Sequence, residues 1–142
     1  MIDLRGVWLP QIIGYAELIA DESVLRASWF EHDRSRTSVT DFDELYEQIF
    51  GGLDVEDQLG LAVDEFHDDP EIVRLVSGFI DALRKLDQIV VKSGINHQPE
   101  RILASAEWFA VRERANELDV YAVRRKYRSD LTDNKPTVVS IR

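Results

Sequence analysis

At 142 residues, with 44% hydrophobic and 31% charged side chains, the chain has the length and composition of one globular domain. It has no cysteine, which excludes disulfides, thiolate metal sites and thiol catalysis and fits a reducing, cytoplasmic setting. The net charge of −10 opposes nucleic acid and anionic lipid as direct partners and favours a basic protein instead.

The opening stretch MIDLRGVWLPQIIGYAELIADE carries Asp3 beside Arg5, a break at Pro10 and Gln11, and then Glu17. Neither a secretory signal nor a membrane span is expected from it. Ile12, Ala16 and Ile19 recur at helical spacing before Asp21. Val24, Leu25, Ala27, Trp29 and Phe30 suggest a second helix, started by Asp21 or Ser23. HDRSRTSV, His32–Val39, reads as a polar, exposed loop. Thr40 or Asp41 starts a third helix with Phe42, Leu45, Tyr46, Ile49 and Phe50 on one stripe, and Gly51-Gly52 ends it. A fourth helix is expected with Asp54 as its cap and Val55, Leu59, Ala62, Val63 and Phe66 facing inward.

The strongest signal follows. Asp69 is placed to cap a helix and Pro70 to occupy its first position. Ile72, Val76, Phe79, Ile80, Leu83, Leu86 and Val90 then share a face, and Gly94 supplies a left-handed stop. Pro99 or Ser105 opens another helix carrying Trp108, Val111, Ala115 and Leu118, with a final helical stretch through Val120, Val123 and Tyr127. The expected architecture is all-α: one helical domain over residues 1–142, a compact multi-helix bundle with a long central helix near residues 70–93. Residues 129–142 read as a tail, with Thr137–Arg142 either an edge strand or without structure.

No catalytic motif emerges, so no enzymatic activity and no cofactor are expected. DEFHDD, Asp64–Asp69, places Asp64 and His67 three residues apart and His67 and Glu71 four apart. Di-iron bundles need a Glu-x-x-His step twice, with further carboxylates opposite, and here an Asp version occurs once. Caps and solvated acids explain the segment better than a metal site. Gly51-Gly52 lacks the preceding strand and the lysine of a phosphate loop. Arg124, Arg125, Lys126 and Arg128, with Tyr127 among them, read as a helix C-terminus, where cations favour the dipole, rather than as a nucleic-acid contact.

The charge is unevenly spread. Residues 1–100 hold eight basic and 21 acidic side chains, and residues 101–142 nine basic and six acidic. Between Thr37 and Val73 there are twelve acids and no lysine or arginine. Capping accounts for those near helix starts, such as Asp41, Asp43, Glu44, Asp54, Glu56, Asp57, Asp69 and Glu71. Glu47, Asp64, Glu65 and Asp68 lie late in their helices, where the dipole disfavours them. A field of one sign steers a partner of the other.

In size, charge and helical character the chain resembles the immunity proteins of bacterial contact-dependent and related polymorphic toxin systems. The segment Phe42–Asp87, FDELYEQIFGGLDVEDQLGLAVDEFHDDPEIVRLVSGFIDALRKLD, carries most of that resemblance. The paired tyrosines of the DNase-colicin immunity proteins are absent, so none of their binding residues transfers. The resemblance implies a stoichiometric inhibitor that covers a toxin domain, often a basic nuclease, at or beside its active site. Glu47, Asp54, Glu56, Asp57, Asp64, Glu65, Asp68 and Asp69 would then meet the toxin's lysines and arginines. Tyr46 and Phe66 are the candidate aromatic anchors, although their helical spacing also suits core packing. Two other readings stand beside it: an acidic interaction or regulatory module with no toxin, and a carboxylate-metal enzyme centred on Asp64, His67 and Glu71.

Overall fold

The computed structural model describes residues 3–127, and every regular element among them is helical. Expectations for residues 129–142, including the Thr137–Arg142 strand, lie outside the described residues. The first long helix, α1 (Leu9–Ala20), has the sequence LPQIIGYAELIA, apolar on nearly every side. A helix apolar all round must be enclosed, and Ile12 through Ile19 are all buried. A five-residue π-type stretch, Leu4–Trp8, leads into it, with Asp3 accepting from the Gly6 amide at 3.0 Å. Pro10 falls in the first turn, where no N–H is needed.

Helix α2 (Ser23–Glu31) ends on His32, which adopts the left-handed conformation at φ 58°. The segment after it is only partly the exposed loop expected. Thr37 and Val39 are buried, because Ser28 and the Trp29 indole both donate to the Val39 carbonyl, at 2.9 and 3.2 Å. Helix α3 (Phe42–Glu47) is capped by Asp41, whose carboxylate accepts from the Glu44 amide at 2.8 Å. It continues through a π-type stretch, Gln48–Gly52.

Helix α4 (Val55–Glu65) starts without the expected cap. Asp54 is left-handed at φ 50°, a conformation that Asp tolerates, and its side chain makes no capping hydrogen bond. Of the residues expected to face inward, Val55, Ala62 and Phe66 are buried and Leu59 is partly buried, whereas Val63 is 57% exposed. Val63 is adjacent to Ala62, and one residue turns a helix by about 100°. The two cannot share the inner face of a helix that meets the body on one side only.

Helix α5 (Pro70–Ser93) is the longest. Asp69 caps it, and Gly94 closes it at φ 67°. Pro99 opens the short α6 (Pro99–Leu103), and Ser105 caps α7 (Ala106–Arg124), its hydroxyl accepting from the Trp108 amide at 3.0 Å. The two helical stretches expected after residue 105 are thus one helix. Helix α7 runs antiparallel to α5, since Tyr121 and Tyr127 reach Asp69 at the start of α5. It packs along both α1 and α5. Its buried stripe of Trp108, Val111, Ala115, Leu118 and Ala122 is narrow, and the two alanines bring its backbone close to its neighbours.

Ala115 is fully buried. Ala115→Leu should overpack this contact and destabilise the protein by about 1–3 kcal/mol in denaturant unfolding, whereas the same change at the exposed Ala106 should alter stability by less than about 0.5 kcal/mol.

Candidate binding surface

The ten residues singled out from the sequence fall into three groups. Two belong to the interior. Phe66 is 1% exposed, with its ring edge-on to Tyr127 at 6.4 Å and the Arg5 guanidinium 4.6 Å from its centre. As an exposed anchor it is therefore ruled out: it is the residue on which α4 turns toward α5. Asp69 is 4% exposed. Its carboxylate accepts from the phenols of Tyr121 at 2.6 Å and Tyr127 at 2.8 Å and from the Ile72 amide. Arg125 lies 3.9 Å away. Burial works to raise the pKa of Asp69, but these donors and the Arg125 charge outweigh it and hold the group below its ordinary value. It is a structural cap and not a surface acid.

Three more acids are surface groups already matched within the chain. Arg5 donates to Glu65 at 2.6 Å and to Asp68 at 2.8 Å. Arg84 donates to Glu56 at 3.1 Å and stands over the Phe50 ring at 5.7 Å. The local pattern gave no sign of Arg5 in this role, because sixty residues separate it from Glu65. Exposed pairs of this kind add little stability, but they neutralise the charge where they sit.

The remaining acids, Glu47, Asp54, Asp57 and Asp64, are exposed and form no ion pair among the described residues. Glu47 lies on α3 with its carboxylate over Gly51, while Asp57 and Asp64 lie on the outer side of α4. Tyr46 is half-buried, stacked on Phe50 at 4.1 Å and tilted against Phe42 at 6.1 Å. Burial first, then the charge of Asp87, pushes its phenol up. The tyrosine keeps a partial opening beside this surface but belongs to an aromatic ladder inside the fold.

Sequence reasoning missed the neighbours of these acids. Leu61 and Val63 are 48% and 57% exposed. At about 100° per residue, they lie on opposite shoulders of the α4 ridge formed by Asp57, Gly60 and Asp64. The signal was present in QLGLAV: Leu61 fits no inward stripe that includes Val55, Ala62 and Phe66. Gly60 is exposed and helical, and a Cβ there would meet nothing within 4 Å. A mid-helix glycine costs about 0.5–1 kcal/mol relative to alanine, and nothing in the fold requires this one.

Two other features offer less. The groove of about 410 Å³ between α5 and α7 is lined by Arg74, Asp81, Lys85, Glu107, Arg114 and Glu117 among others. Arg74 pairs with Glu71, Lys85 with Asp81 at 3.3 Å and Arg114 with Glu117 at 2.8 Å, so each of these cations is matched within its own helix, and the lining sets three cations against three acids. In DEFHDD, His67 is exposed with Nδ1 3.0 Å from the Asp64 carbonyl, and Glu71 is held by Arg74. Among the described residues no three His, Asp or Glu side chains converge as metal ligands, and no helix is long and apolar enough to cross a membrane.

The Asp69 cluster has a measurable pH signature. Asp69→Ala should cost about 2–4 kcal/mol, through loss of the cap and two unsatisfied phenols. Because the folded pKa is depressed, the stabilisation is full above the unfolded value of about 3.9 and is lost as pH falls through the folded value. The stability gap between wild type and Asp69→Asn should therefore narrow below about pH 4. Tyr127 is pushed up to about 12, by burial first and then by Asp69. Its contribution should persist below its ordinary value of about 10 and vanish as pH rises through the folded one, a loss that Tyr127→Phe should not show.

Comparison with known proteins adds no relative to this geometry: no family model, no curated protein and no solved structure matches the chain.

Proposed function

We propose that the protein is a non-enzymatic inhibitor that binds a basic protein, and that this partner is a bacterial toxin domain against which it confers immunity in the cytoplasm. The observation that supports the reading is the set of exposed acids Glu47, Asp54, Asp57 and Asp64, which form no ion pair among the described residues and lie within a segment containing no lysine or arginine. Such a surface lowers the stability of the free protein slightly through self-repulsion. It raises the encounter rate with a positively charged partner. Inhibition then follows from occlusion: acids that occupy the lysines and arginines of a nuclease displace the phosphates those residues hold. A standard interface of about 1,600 Å² extends beyond a single helix, so α4 would be joined by neighbouring parts of α3. The fold has other acids, but Glu56, Glu65 and Asp68 are paired internally and Asp69 is buried, which leaves them minor parts in recognition.

A pull-down from native lysate at low salt, eluted by a salt gradient, tests the reading. The expected product is a basic protein that arrests growth when expressed alone and not when co-expressed with this chain. Asp57→Lys with Asp64→Lys should leave the melting temperature within a few degrees of wild type. The association rate at low salt should fall by about tenfold or more, and its salt dependence should flatten. A captured partner without toxicity would replace the toxin with a regulatory target, and unchanged binding by the double variant would remove the acidic surface from recognition altogether.

A further inference from the structure

The outer face of α4 combines three features that the fold does not account for. Leu61 and Val63 are large apolar side chains left about half exposed. Asp57 and Asp64 are exposed acids with no ion pair among the described residues. Between them Gly60 leaves the ridge bare: its backbone is helical, and among the described residues a Cβ there would meet nothing within 4 Å. Gly94, by contrast, is left-handed at φ 67°, and a Cβ at Gly51 would collide with the Glu47 carboxylate.

A helical glycine with open space outside it is what a second backbone needs to come close. We propose that the outer face of α4 is a docking ridge on which a basic partner segment crosses at Gly60, placing lysine or arginine on Asp57 and Asp64 and apolar side chains on Leu61 and Val63. Charge decides between occupants. A second copy of this chain would bring like charge onto like charge, and anionic lipid or nucleic acid would do the same. A cationic amphipathic segment matches both the acids and the two apolar shoulders. The inference deepens the inhibitor reading and rests on it for the partner's basic character.

The test titrates the full-length, 15N-labelled protein with a short synthetic lysine–leucine amphipathic helix and follows backbone amide shifts. The shifts are expected to centre on α4 between Asp57 and Asp64. Gly60→Gln should weaken the peptide by about tenfold with the melting temperature unchanged or raised, since glutamine is the better helix former. Asp57→Asn with Asp64→Asn should weaken it comparably, and a glutamate–leucine peptide should not bind. Shifts centred on α3 or on the α5–α7 groove would overturn the proposal. So would equal affinity for Gly60→Gln, or self-association through α4 in sedimentation. The peptide contains no toxin, so growth protection can fail while this test succeeds, and a toxin bound with full affinity by Gly60→Gln would uphold the inhibitor and reject the ridge.

Discussion

The fold turns on one buried carboxylate. Asp69 ends the turn after α4, caps α5, and takes the phenols of Tyr121 and Tyr127 from the far end of α7. A charge this deep is tolerable only with its lone pairs filled, and here an amide and two hydroxyls fill them while Arg125 stands close by. Because α7 also packs on α1, the position of α5 relative to the enclosed first helix depends on this meeting point. Phe66 and Arg5 surround the same corner, so the N-terminal stretch is drawn in as well. One acid thereby fixes the direction in which α4 leaves the body, and with it the surface that α4 presents.

The distribution of cations follows from that geometry. Arg5 and Arg84 sit at opposite ends of α4 and neutralise Glu65, Asp68 and Glu56. Asp57 in the first turn and Asp64 in the last form no ion pair among the described residues. On α5 and α7 the opposite holds, since Arg74, Lys85 and Arg114 each pair with an acid of their own helix. The net charge of the molecule therefore understates how different its faces are. A balanced groove and a bare acidic ridge lie on neighbouring helices of one small body.

Much of the fold was legible in the sequence. Asp69-Pro70 at one end and Gly94 at the other bounded α5 almost to the residue, because a cap, a proline and a left-handed glycine each act locally. The apolar periodicity of α5 named its buried face. Local rules failed where a partner distant in sequence decided the outcome. Val39 is buried because Ser28 and Trp29 reach back to its carbonyl. Asp54 does not cap because the chain enters α4 from a left-handed residue. For the candidate surface, the excess of acids was plain, but which acids remained free was not. That sorting required Arg5 and Arg84 to be placed in space, and the exposure of Val63 followed only from the inner face that α4 adopts, although Leu61 already stood outside the inward stripe.

The three tryptophans give the molecule native optical probes at two separate places. Trp8 is buried, with its indole donating to the Leu53 carbonyl just ahead of α4. Trp29 and Trp108 form a tilted pair at 6.0 Å on the opposite flank, where the Trp108 indole donates to Glu22. Their emission reports on different helices, close enough within the pair for the two rings to exchange excitation. Loosening of the α4 end alone would change the light from Trp8 and leave the pair silent. Separation of α7 from α2 would do the reverse, so local opening and global unfolding carry distinct spectra without any label.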